Sequence, residues 1–308
     1  GAALRACWGG GGGSSRVGGG TALGGSRPSG GDGRCLGTRR PERAPDPEYL
    51  ARVARAAERA GAAEILVPTG TVNDSFAPEA PFMESWTAAT AVAALTRTIR
   101  VIAAVNPAGL APELAAHQLE TLERVAPGRV AVNLVAGGGP EGSYGTPQLD
   151  HSARYARLRD FAAVVRRRFA GPFYLGGASE EARDLAADVA ETYLMWGEPP
   201  DRIAERVAAM RARVGRPMRM GLRIHIIARP QEREAREAAR DLLSHAEVAG
   251  DRAAEYARFD SVGQARMNAI PADEEGWVAP GLWAGIRAVR GGAGPGLVGP
   301  VADGARAV

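Results

Sequence analysis

Residues 99–135, IRVIAAVNPAGLAPELAAHQLETLERVAPGRVAVNLV, contain one complete strand–helix–strand unit. Two short apolar runs, 99–105 and 129–135, flank the segment 111–126, in which apolar residues recur at helical spacing. Pro127-Gly128 closes the helix and leaves a short connection to the second strand. Strands joined in this way by a helix form parallel βαβ units. The stretch therefore predicts an α/β fold with a parallel sheet.

The same alternation extends to both sides of this unit. Asp46 precedes a helical pattern with Pro47 at its first position and Gly61 at its end, which are residue types that begin and end helices. The further predicted helices are 46–60, 84–96, 151–169, 179–190, 199–213 and 230–246, and the further predicted strands are 64–68, 172–175, 191–195 and 218–227.

The number of strands bears on whether the sheet closes into a (β/α)8 TIM barrel. Six strands are readable, near residues 65, 100, 130, 173, 192 and 222, whereas such a barrel has eight. The first strand would precede residue 46 and the last would lie beyond residue 297. We therefore expect an incomplete barrel. The strands near 65 and 222 would border one gap with unpaired backbone groups, so that the isolated chain aggregates.

Residues 1–27 differ in composition from the rest of the chain. Of the 41 glycines, 15 fall within residues 1–37, in runs such as 9–13 and 18–20. Such a stretch buries too little apolar surface to offset its backbone entropy. We expect residues 1–27 to be disordered and residues 28–308 to form one barrel domain.

Charge and composition exclude several classes of protein. The net charge is only +3, and arginines alternate with acidic residues along helices such as AERVAAMRAR (204–213), which is typical of a solvated face and not of a nucleic-acid-binding surface. No apolar run approaches the ~18 residues of a membrane span. Cys7 and Cys35 form no metal-ligand pattern, so no metal site is expected. The default is a cytoplasmic protein that binds neither nucleic acid nor membrane.

One glycine motif follows the strand 129–135. Gly137, Gly139 and Gly142 match the G-x-G-x-x-G pattern of dinucleotide-binding domains, but no helix begins directly after them. A loop at the C-terminal end of a barrel strand is the preferred interpretation, and such loops carry the active sites of this architecture.

A second glycine segment, GGASEE (176–181), follows the strand 172–175 and opens a helix. Two glycines let the backbone approach a ligand closely, and Ser179 can cap the helix. The free N–H groups and the positive end of the helix dipole suit a phosphate group. An ordinary N-cap accounts for the same residues, so both interpretations stay open.

Basic side chains interrupt the longest predicted strand. Arg223 and His225 would share one face of 218–227 through the period of two. A buried arginine is costly unless it is paired, so these residues favour an anionic partner; the alternative is a strand end that meets solvent or a structural carboxylate. Arg290, in the Gly-rich segment 289–294, is by itself typical of a solvated residue. Together the three side chains fit an oxyanion-binding site.

Aromatic and imidazole side chains lie near two other strand ends. His151 and Tyr155 are four residues apart, and so on one face of the predicted helix 151–169, which Asp150 or Ser152 can cap. Trp196 ends a predicted strand, where packing alone explains an aromatic residue.

These segments together resemble the alkanesulfonate monooxygenases, flavin-dependent enzymes of the luciferase-like family with a (β/α)8-barrel fold. WGEPP (196–200), DSVGQARM (260–267) and LWAGIRAVRGGAG (282–294) are far more specific than a single glycine pattern. The resemblance extends from about residue 28 to residue 299. Its other segments are EILVPTG (64–70), AAHQLETLERVAPGRVAVNLVAG (115–137), LDHSARY (149–155), FYLGGASEEARDLAADVA (173–190) and GLRIHIIAR (221–229).

The resemblance implies a two-component flavin monooxygenase. A separate NAD(P)H-dependent flavin reductase would supply reduced FMN, which the enzyme would use as a co-substrate with O2 to convert an alkanesulfonate to an aldehyde and sulfite. Relatives in the family are homo-oligomers, so a homo-oligomer is expected.

Residue roles are carried over from the family position by position. Arg223 and Arg290 would bind the sulfonate, and His225 would lie beside the reacting centre, where it orients that centre or moves a proton. The positions that would contact the flavin and its phosphate are Asn133, Tyr155, Ala178 and Ser179.

The chain also departs from the family's pattern. Gly30 stands where the family has an active-site histidine, and its active-site cysteine has no counterpart after Thr71. A mobile active-site insertion is missing between Arg168 and Pro172. The alternative to a working monooxygenase is therefore a truncated flavin-binding relative, or an inert fragment without turnover.

Overall fold

The computed structural model describes residues 22–24, 46–69, 82–137, 149–244, 261–288 and 294–300. The α-helices in these ranges are α1 Pro47–Arg59, α2 Ser85–Leu95, α3 Pro112–Val125, α4 His151–Arg166, α5 Glu180–Val189, α6 Pro200–Arg213, α7 Glu232–Ser244 and α8 Val262–Asn268. The strands are β1 Ala22–Gly24, β2 Glu64–Val67, β3 Arg100–Val105, β4 Val130–Leu134, β5 Phe173–Gly176, β6 Thr192–Trp196, β7 Arg219–Arg223, β8 His225–Arg229, β9 Trp277–Ala279, β10 Leu282–Trp283 and β11 Gly296–Pro300. Short 3-10 helices span Pro107–Gly109 and Gly285–Ala288.

Capping residues and glycine explain where several helices begin or end. Asp46 caps α1, because its carboxylate accepts a hydrogen bond of 2.9 Å from the Glu48 N–H, and Pro47 is the first helical residue. Asp150 caps α4 through a 2.7 Å bond from the Ala153 N–H. Gly61 has a φ of +85°, a backbone conformation that favours glycine and that stops α1. Within the described ranges, no helix combines the length and the apolar character needed to cross a membrane.

Seven parallel strands form the main sheet. The strands lie side by side in chain order, from β1 to β7, and each pairs in parallel with the next. A second sheet has the order β8-β11-β10-β9, with β11 parallel to β8 and antiparallel to β10. The predicted α/β fold with a parallel, barrel-like sheet is confirmed.

The two faces of the main sheet have different neighbours. One face carries residues such as Val101, Val132 and Leu175, which pack with the helices in a large apolar core. The other face carries a smaller cluster of Ile102, Ala131 and Tyr174, joined by the partly buried Leu66 and Leu194. Strand alternation separates the two sets, so the helices cover the outer face and the smaller cluster lies on the inner face.

A contact across the inner face shows that the sheet is curled. Glu64 on β2 and Arg219 on β7 lie five strands apart in the sheet order, which corresponds to about 24 Å along a flat sheet. Their side chains nevertheless meet at 3.2 Å, between Glu64 Oε1 and Arg219 Nη1. The sheet must therefore bend round on itself, as it does in a barrel.

Glu64 Oε1 is the centre of a hydrogen-bond cluster at the N-terminal end of this interior. The oxygen also accepts bonds from the Tyr174 hydroxyl (2.5 Å) and from Arg100 Nη1 (2.9 Å). The Tyr174 hydroxyl accepts a further bond of 2.5 Å from Arg219 Nη2. The Glu64 side chain is only 4% exposed, so its charge depends on these donors.

The structure corrects the predicted strand count and the predicted edges. β1, Ala22–Gly24, lies inside the segment 1–27 and precedes the first strand that the sequence predicts. β11 supplies a strand at 296–300, a segment in which the sequence predicts none. β1 pairs with β2, so the strand near 65 does not border a gap. β7, near 222, is the last strand of the main sheet, whereas β8 pairs with β11 in the second sheet. Among the described residues no ladder joins β1 to β11.

The longest predicted strand, 218–227, is also corrected. The chain leaves the main sheet after Arg223, and a separate strand, β8, begins at His225 in the second sheet. Ile224 lies between them. Arg223 and His225 therefore belong to different strands in different sheets, and the period of two does not place them on one face.

Replacing Glu64 with alanine should destabilise the fold. The change leaves two arginines and a phenol without their common acceptor. Since Arg100 and Arg219 are partly exposed, we expect the free energy of unfolding to fall by about 2–3 kcal/mol, below the full cost of breaking a buried pair. Urea unfolding measures this loss.

Glu237→Ala is the matched control, because it removes the acceptor of an exposed pair with Arg233 on α7. Its effect should stay below about 0.5 kcal/mol. Equal stabilities of the Glu64→Ala and Glu237→Ala proteins would contradict the role given to the cluster.

Candidate functional site

The predicted flavin-contacting residues lie at the C-terminal ends of the parallel strands. β5 ends at Gly176, and the chain turns through Gly177 and Ala178 to Ser179, the N-cap of α5. Gly177 has a φ of +147°, and a Cβ atom there would lie 2.5 Å from the Ala182 Cβ and 3.2 Å from the Tyr155 hydroxyl. Only glycine fits this turn. The segment 176–179 is called the cradle below.

Ser179 connects the cradle to α4. Its Oγ accepts a 3.2 Å bond from the Ala182 N–H, which caps α5. The Ser179 side chain also acts to lower the pKa of the Tyr155 hydroxyl and of the Glu181 carboxyl. One buried hydroxyl thus joins the N-termini of two helices, as the sequence predicts for a cap and as a phosphate seat requires.

Two carboxylates in the first turn of α5 bear on whether the cradle can hold an anion. Glu180 is paired with Arg183 and, at 2.6 Å, with Arg213. Glu181 lies 3.4 Å from His151 Nε2, and a hydrogen bond from its own backbone N–H lowers the pKa of its carboxyl. Each acid therefore has a cationic or donor partner that offsets its charge. The Glu181 carboxylate already uses donors that an anionic ligand would use.

Tyr155 faces the cradle from α4, and its phenol stays protonated. Burial raises the pKa of the Tyr155 hydroxyl above its ordinary value, although the hydrogen bond with Ser179 and the charge of Arg154 act in the opposite direction. The His151 ring lies 5.0 Å from the Tyr155 ring, on the same helix face. The predicted proximity of Tyr155, Ala178 and Ser179 is what the structure has.

Asn133 offers an unused acceptor on the inner face. It lies on β4 in register with Ala104 of β3 and Tyr174 of β5. Its Oδ1 atom is buried and has no hydrogen-bond partner among the described residues. A buried acceptor without a donor costs free energy, so a site that a ligand N–H can fill is expected here.

Arg223 lies at the same end of the sheet and on the same face. Tyr174 of β5 pairs in register with Thr192 of β6. Trp196 lies four residues after Thr192, and so on the same face, and it pairs in register with Arg223 of β7. Arg223 is an exposed residue, and it takes part in at least one polar or electrostatic interaction with another part of the chain. Trp196 thus lies between the cradle strand and Arg223. His225 is on β8, in register with Gly296 of β11, and is partly buried.

Some predicted positions lie outside the described residues. Arg290 and Gly30 are among them, as are Gly139 and Gly142 of the glycine motif. Gly137 is described, and its φ of +87° places it in a turn directly after β4. The residues that follow Gly137, 138–148, lie outside the described residues, and the next described helix is α4 from His151.

The sequence did not reveal a second set of polar residues behind the cradle. Tyr193, on the outer face of β6, donates a hydrogen bond to the Gly177 carbonyl, and Arg206 donates to the Tyr193 hydroxyl at 3.2 Å. Glu198, fully buried in the segment WGEPP, pairs with Arg206 and, at 2.8 Å, with Arg266. The only hint in the sequence is Glu198 itself, an acidic residue between a glycine and two prolines.

The described residues contain no group of three or more histidine, cysteine, aspartate or glutamate side chains positioned to hold a metal ion. The polar groups at the strand ends suit an organic ligand with an anionic end. Ring N–H groups could meet Asn133, and a phosphate could meet the cradle.

Comparisons with known proteins agree with the fold and add a family. The family model for luciferase-like monooxygenase matches residues 26–171 and 167–290. A riboflavin lyase, solved with modified FMN and the substrate riboflavin, superposes with a TM-score of 0.72 at 18% identity, covering 93% of this chain and 83% of that one.

Two further solved structures have similar scores. A long-chain alkane monooxygenase gives a TM-score of 0.70 at 17% identity, with 93% of this chain and 83% of that chain covered. DmoA from Hyphomicrobium sulfonivorans gives 0.67 at 17% identity, with 91% and 78% covered. At these identities the similarity concerns the fold.

Spectrophotometric titration should find Tyr155 protonated above the ordinary tyrosine pKa of 10.0, because burial disfavours the phenolate. The raised pKa contributes stability that is fully present below pH 10 and is lost as pH rises through the folded-state value. The measurement is the tyrosinate absorbance of the parent minus that of the Tyr155→Phe protein. A difference that develops below pH 10 would show that the phenol is not buried as described.

Proposed function

Because the chain belongs to the luciferase-like monooxygenase family, we propose that it uses reduced FMN and O2 to convert an alkanesulfonate to an aldehyde and sulfite. The family membership supports oxygenation with a reduced flavin. The choice of FMN, and of a sulfonate as the substrate, rests on the polar groups at the strand ends.

The observation that carries the proposal is that the cradle and Arg223, two sites that can bind anions, lie at the C-terminal ends of strands on the inner face of the sheet. The cradle follows β5, and Arg223 ends β7, with only β6 between these strands. A flavin whose phosphate lies in the cradle could extend its ring system over Asn133 and Trp196 toward Arg223. An anionic substrate held at Arg223 would then meet the ring.

The residues of the cradle fit a flavin mononucleotide. Backbone N–H groups at the start of α5, the Ser179 hydroxyl and the protonated Tyr155 would donate hydrogen bonds to the phosphate. The buried Asn133 Oδ1 would accept a hydrogen bond from a ring N–H. Ala178 has a side chain small enough to let the phosphate approach the backbone. When bound, reduced FMN supplies the electrons that activate O2.

Binding at the cradle requires Glu181 to give up donors. Its carboxylate interacts with its own backbone N–H and with the Ser179 side chain. A phosphate would take over these donors, while His151, 3.4 Å away, would keep Glu181 paired. The exchange of one anion for another leaves no buried donor without an acceptor.

A sulfonate is the substrate that the basic residues favour. Arg223 and Arg290 would hold its oxygens by charge-assisted hydrogen bonds, and a guanidinium offers two parallel donors to such a group. His225, two residues after Arg223, would orient the reacting carbon or move the proton that is lost on aldehyde formation. An alkane has no charge for these side chains to bind.

Two partners follow from the proposed chemistry. Reduced FMN must be regenerated, so a separate NAD(P)H-dependent flavin reductase would supply it as a co-substrate. A homo-oligomer is proposed on the family resemblance.

The direct test is sulfite release from a series of linear alkanesulfonates, with NAD(P)H, FMN, a flavin reductase and air. We expect sulfite in proportion to the alkanesulfonate consumed, and none when FMN or O2 is omitted. Flavin binding without sulfite from any member of the series would favour the alternative of a flavin-binding relative without this activity.

Ser179→Asp should weaken binding of reduced FMN roughly tenfold or more, because the new carboxylate repels the phosphate while aspartate still caps α5. Riboflavin, which has no phosphate, should bind to the Ser179→Asp protein as it does to the parent. Anaerobic titration measures both affinities.

Ser261→Asp is the matched control, since Ser261 caps α8 in the same way, with its Oγ 3.2 Å from the Gln264 N–H. It should leave FMN affinity unchanged. Equal FMN affinity in the Ser179→Asp protein and the parent would contradict the proposed position of the phosphate at the cradle.

Arg223→Ala should lower kcat/KM for sulfite release by about 30-fold to several thousandfold, which corresponds to roughly 2–5 kcal/mol of lost transition-state binding. The affinity for FMN should change little, because the flavin would be held at β4 and β5. The steady-state sulfite assay gives kcat/KM. Arg211→Ala, at the exposed C-terminal turn of α6, serves as the control. If both proteins keep the parent's rate, Arg223 does not bind the sulfonate.

A further inference from the structure

Tyr193 supports the cradle from the opposite side of the sheet. It lies on the outer face of β6, where it is 1% exposed and packs in the apolar core between sheet and helices. Its hydroxyl donates a hydrogen bond to the carbonyl oxygen of Gly177, the residue whose φ of +147° shapes the cradle. A buried tyrosine hydroxyl needs a polar partner, and here that partner is the cradle backbone.

The direction of this hydrogen bond is fixed by the groups behind it. Arg206, on α6, can only donate, and its Nη2 lies 3.2 Å from the Tyr193 oxygen. The phenol therefore accepts from Arg206 and turns its own proton toward Gly177. Arg206 is in turn held by Glu198, whose side chain is completely buried and can only accept. The chain from Glu198 to Gly177 has one consistent donor–acceptor order.

The geometry of the peptide bond transmits this constraint to Ala178. In a trans peptide the carbonyl oxygen and the following N–H point in opposite directions. Since Tyr193 holds the Gly177 carbonyl, the Ala178 N–H must point away from Tyr193. Rotation of that peptide would break the bond to Tyr193 and turn the N–H into the apolar outer face, so the network fixes the orientation of one donor.

We propose that Tyr193, oriented by Arg206 and Glu198, is a positioning residue that presents the Ala178 N–H to the phosphate of the bound flavin. This inference rests on the proposed phosphate seat at the cradle and assigns a role to residues that do not touch the ligand. It also gives WGEPP a role, because Glu198 is the buried end of the network.

The network extends to a distant part of the chain. The second oxygen of Glu198 accepts a 2.8 Å bond from Arg266 Nη2 on α8, and α8 belongs to the segment DSVGQARM. One carboxylate thus ties two of the most specific segments of the sequence to the cradle. The Arg266 side chain is 38% exposed, so its share is smaller than that of Arg206, which is 12% exposed.

The test compares Tyr193→Phe with Tyr174→Phe. Both tyrosines are 1% exposed, and both donate their hydroxyl proton to one oxygen, but Tyr174 donates to Glu64 at the opposite end of the strands. Each variant binds dithionite-reduced FMN and reduced riboflavin in anaerobic fluorescence titrations. The ratio of the two dissociation constants isolates the phosphate from the rest of the flavin.

Loss of one hydrogen bond that orients a donor predicts a fall of about five- to tenfold in the preference of Tyr193→Phe for FMN over riboflavin, with riboflavin affinity unchanged. Tyr174→Phe should keep the parent's preference. Glu198→Gln, which keeps the size of the side chain, should lower the preference in the same direction, and it replaces Tyr193→Phe if that variant does not fold.

The outcomes separate this inference from the proposed function. A parent protein that binds FMN no more tightly than riboflavin contradicts the phosphate seat itself. A parent that prefers FMN, together with folded Tyr193→Phe and Glu198→Gln proteins that keep that preference, contradicts only the positioning role. An equal loss for both flavins would show a general structural defect and would also overturn the role.

Discussion

One carboxylate oxygen, Oε1 of Glu64, fixes how the sheet curls. It accepts hydrogen bonds from side chains on β3, β5 and β7, strands that a flat sheet would hold far apart. The buried charge is stable only while these donors converge on it, so curvature and ion pairing depend on each other. A curled inner face brings the ends of β4, β5, β6 and β7 round one interior. Asn133, the cradle and Arg223 then open on the same space.

Electrostatics at the cradle combine two opposite requirements. A helix N-terminus with free N–H groups favours an anion, but GGASEE puts two carboxylates in the first turn. The structure resolves the conflict because Glu180 is held by arginines of α5 and α6, and Glu181 by His151 of α4. Glu181 also interacts with its own backbone N–H and with the Ser179 side chain, which are donors that a phosphate would use. Such a site can exchange its own carboxylate for a phosphate without exposing buried donors.

Much of the fold could be predicted from periodicity and from helix-capping residues, because both are local. The unit 99–135 and the caps Asp46 and Ser179 depend on neighbours in sequence, whereas the closeness of Tyr155 to the cradle was an expectation from the family resemblance. β1 and β11 could not be predicted, because their composition is not typical of strands. These short segments become strands only through pairing with β2 and β8. The partners of Glu64 and Glu198 were missed for the same reason. Their arginines lie up to 155 residues away in sequence, and only the curled sheet brings them together.

We propose that one face of the sheet holds a flavin phosphate at the cradle and a sulfonate at Arg223. A crystal structure of the chain soaked with FMN and an alkanesulfonate under anaerobic conditions tests it most directly. We expect phosphate oxygens within hydrogen-bond distance of the Ala178 N–H, the Ser179 hydroxyl and the Tyr155 hydroxyl, with the sulfonate against Arg223. A flavin whose phosphate lies away from the N-terminus of α5, or a sulfonate bound on another face, would contradict it.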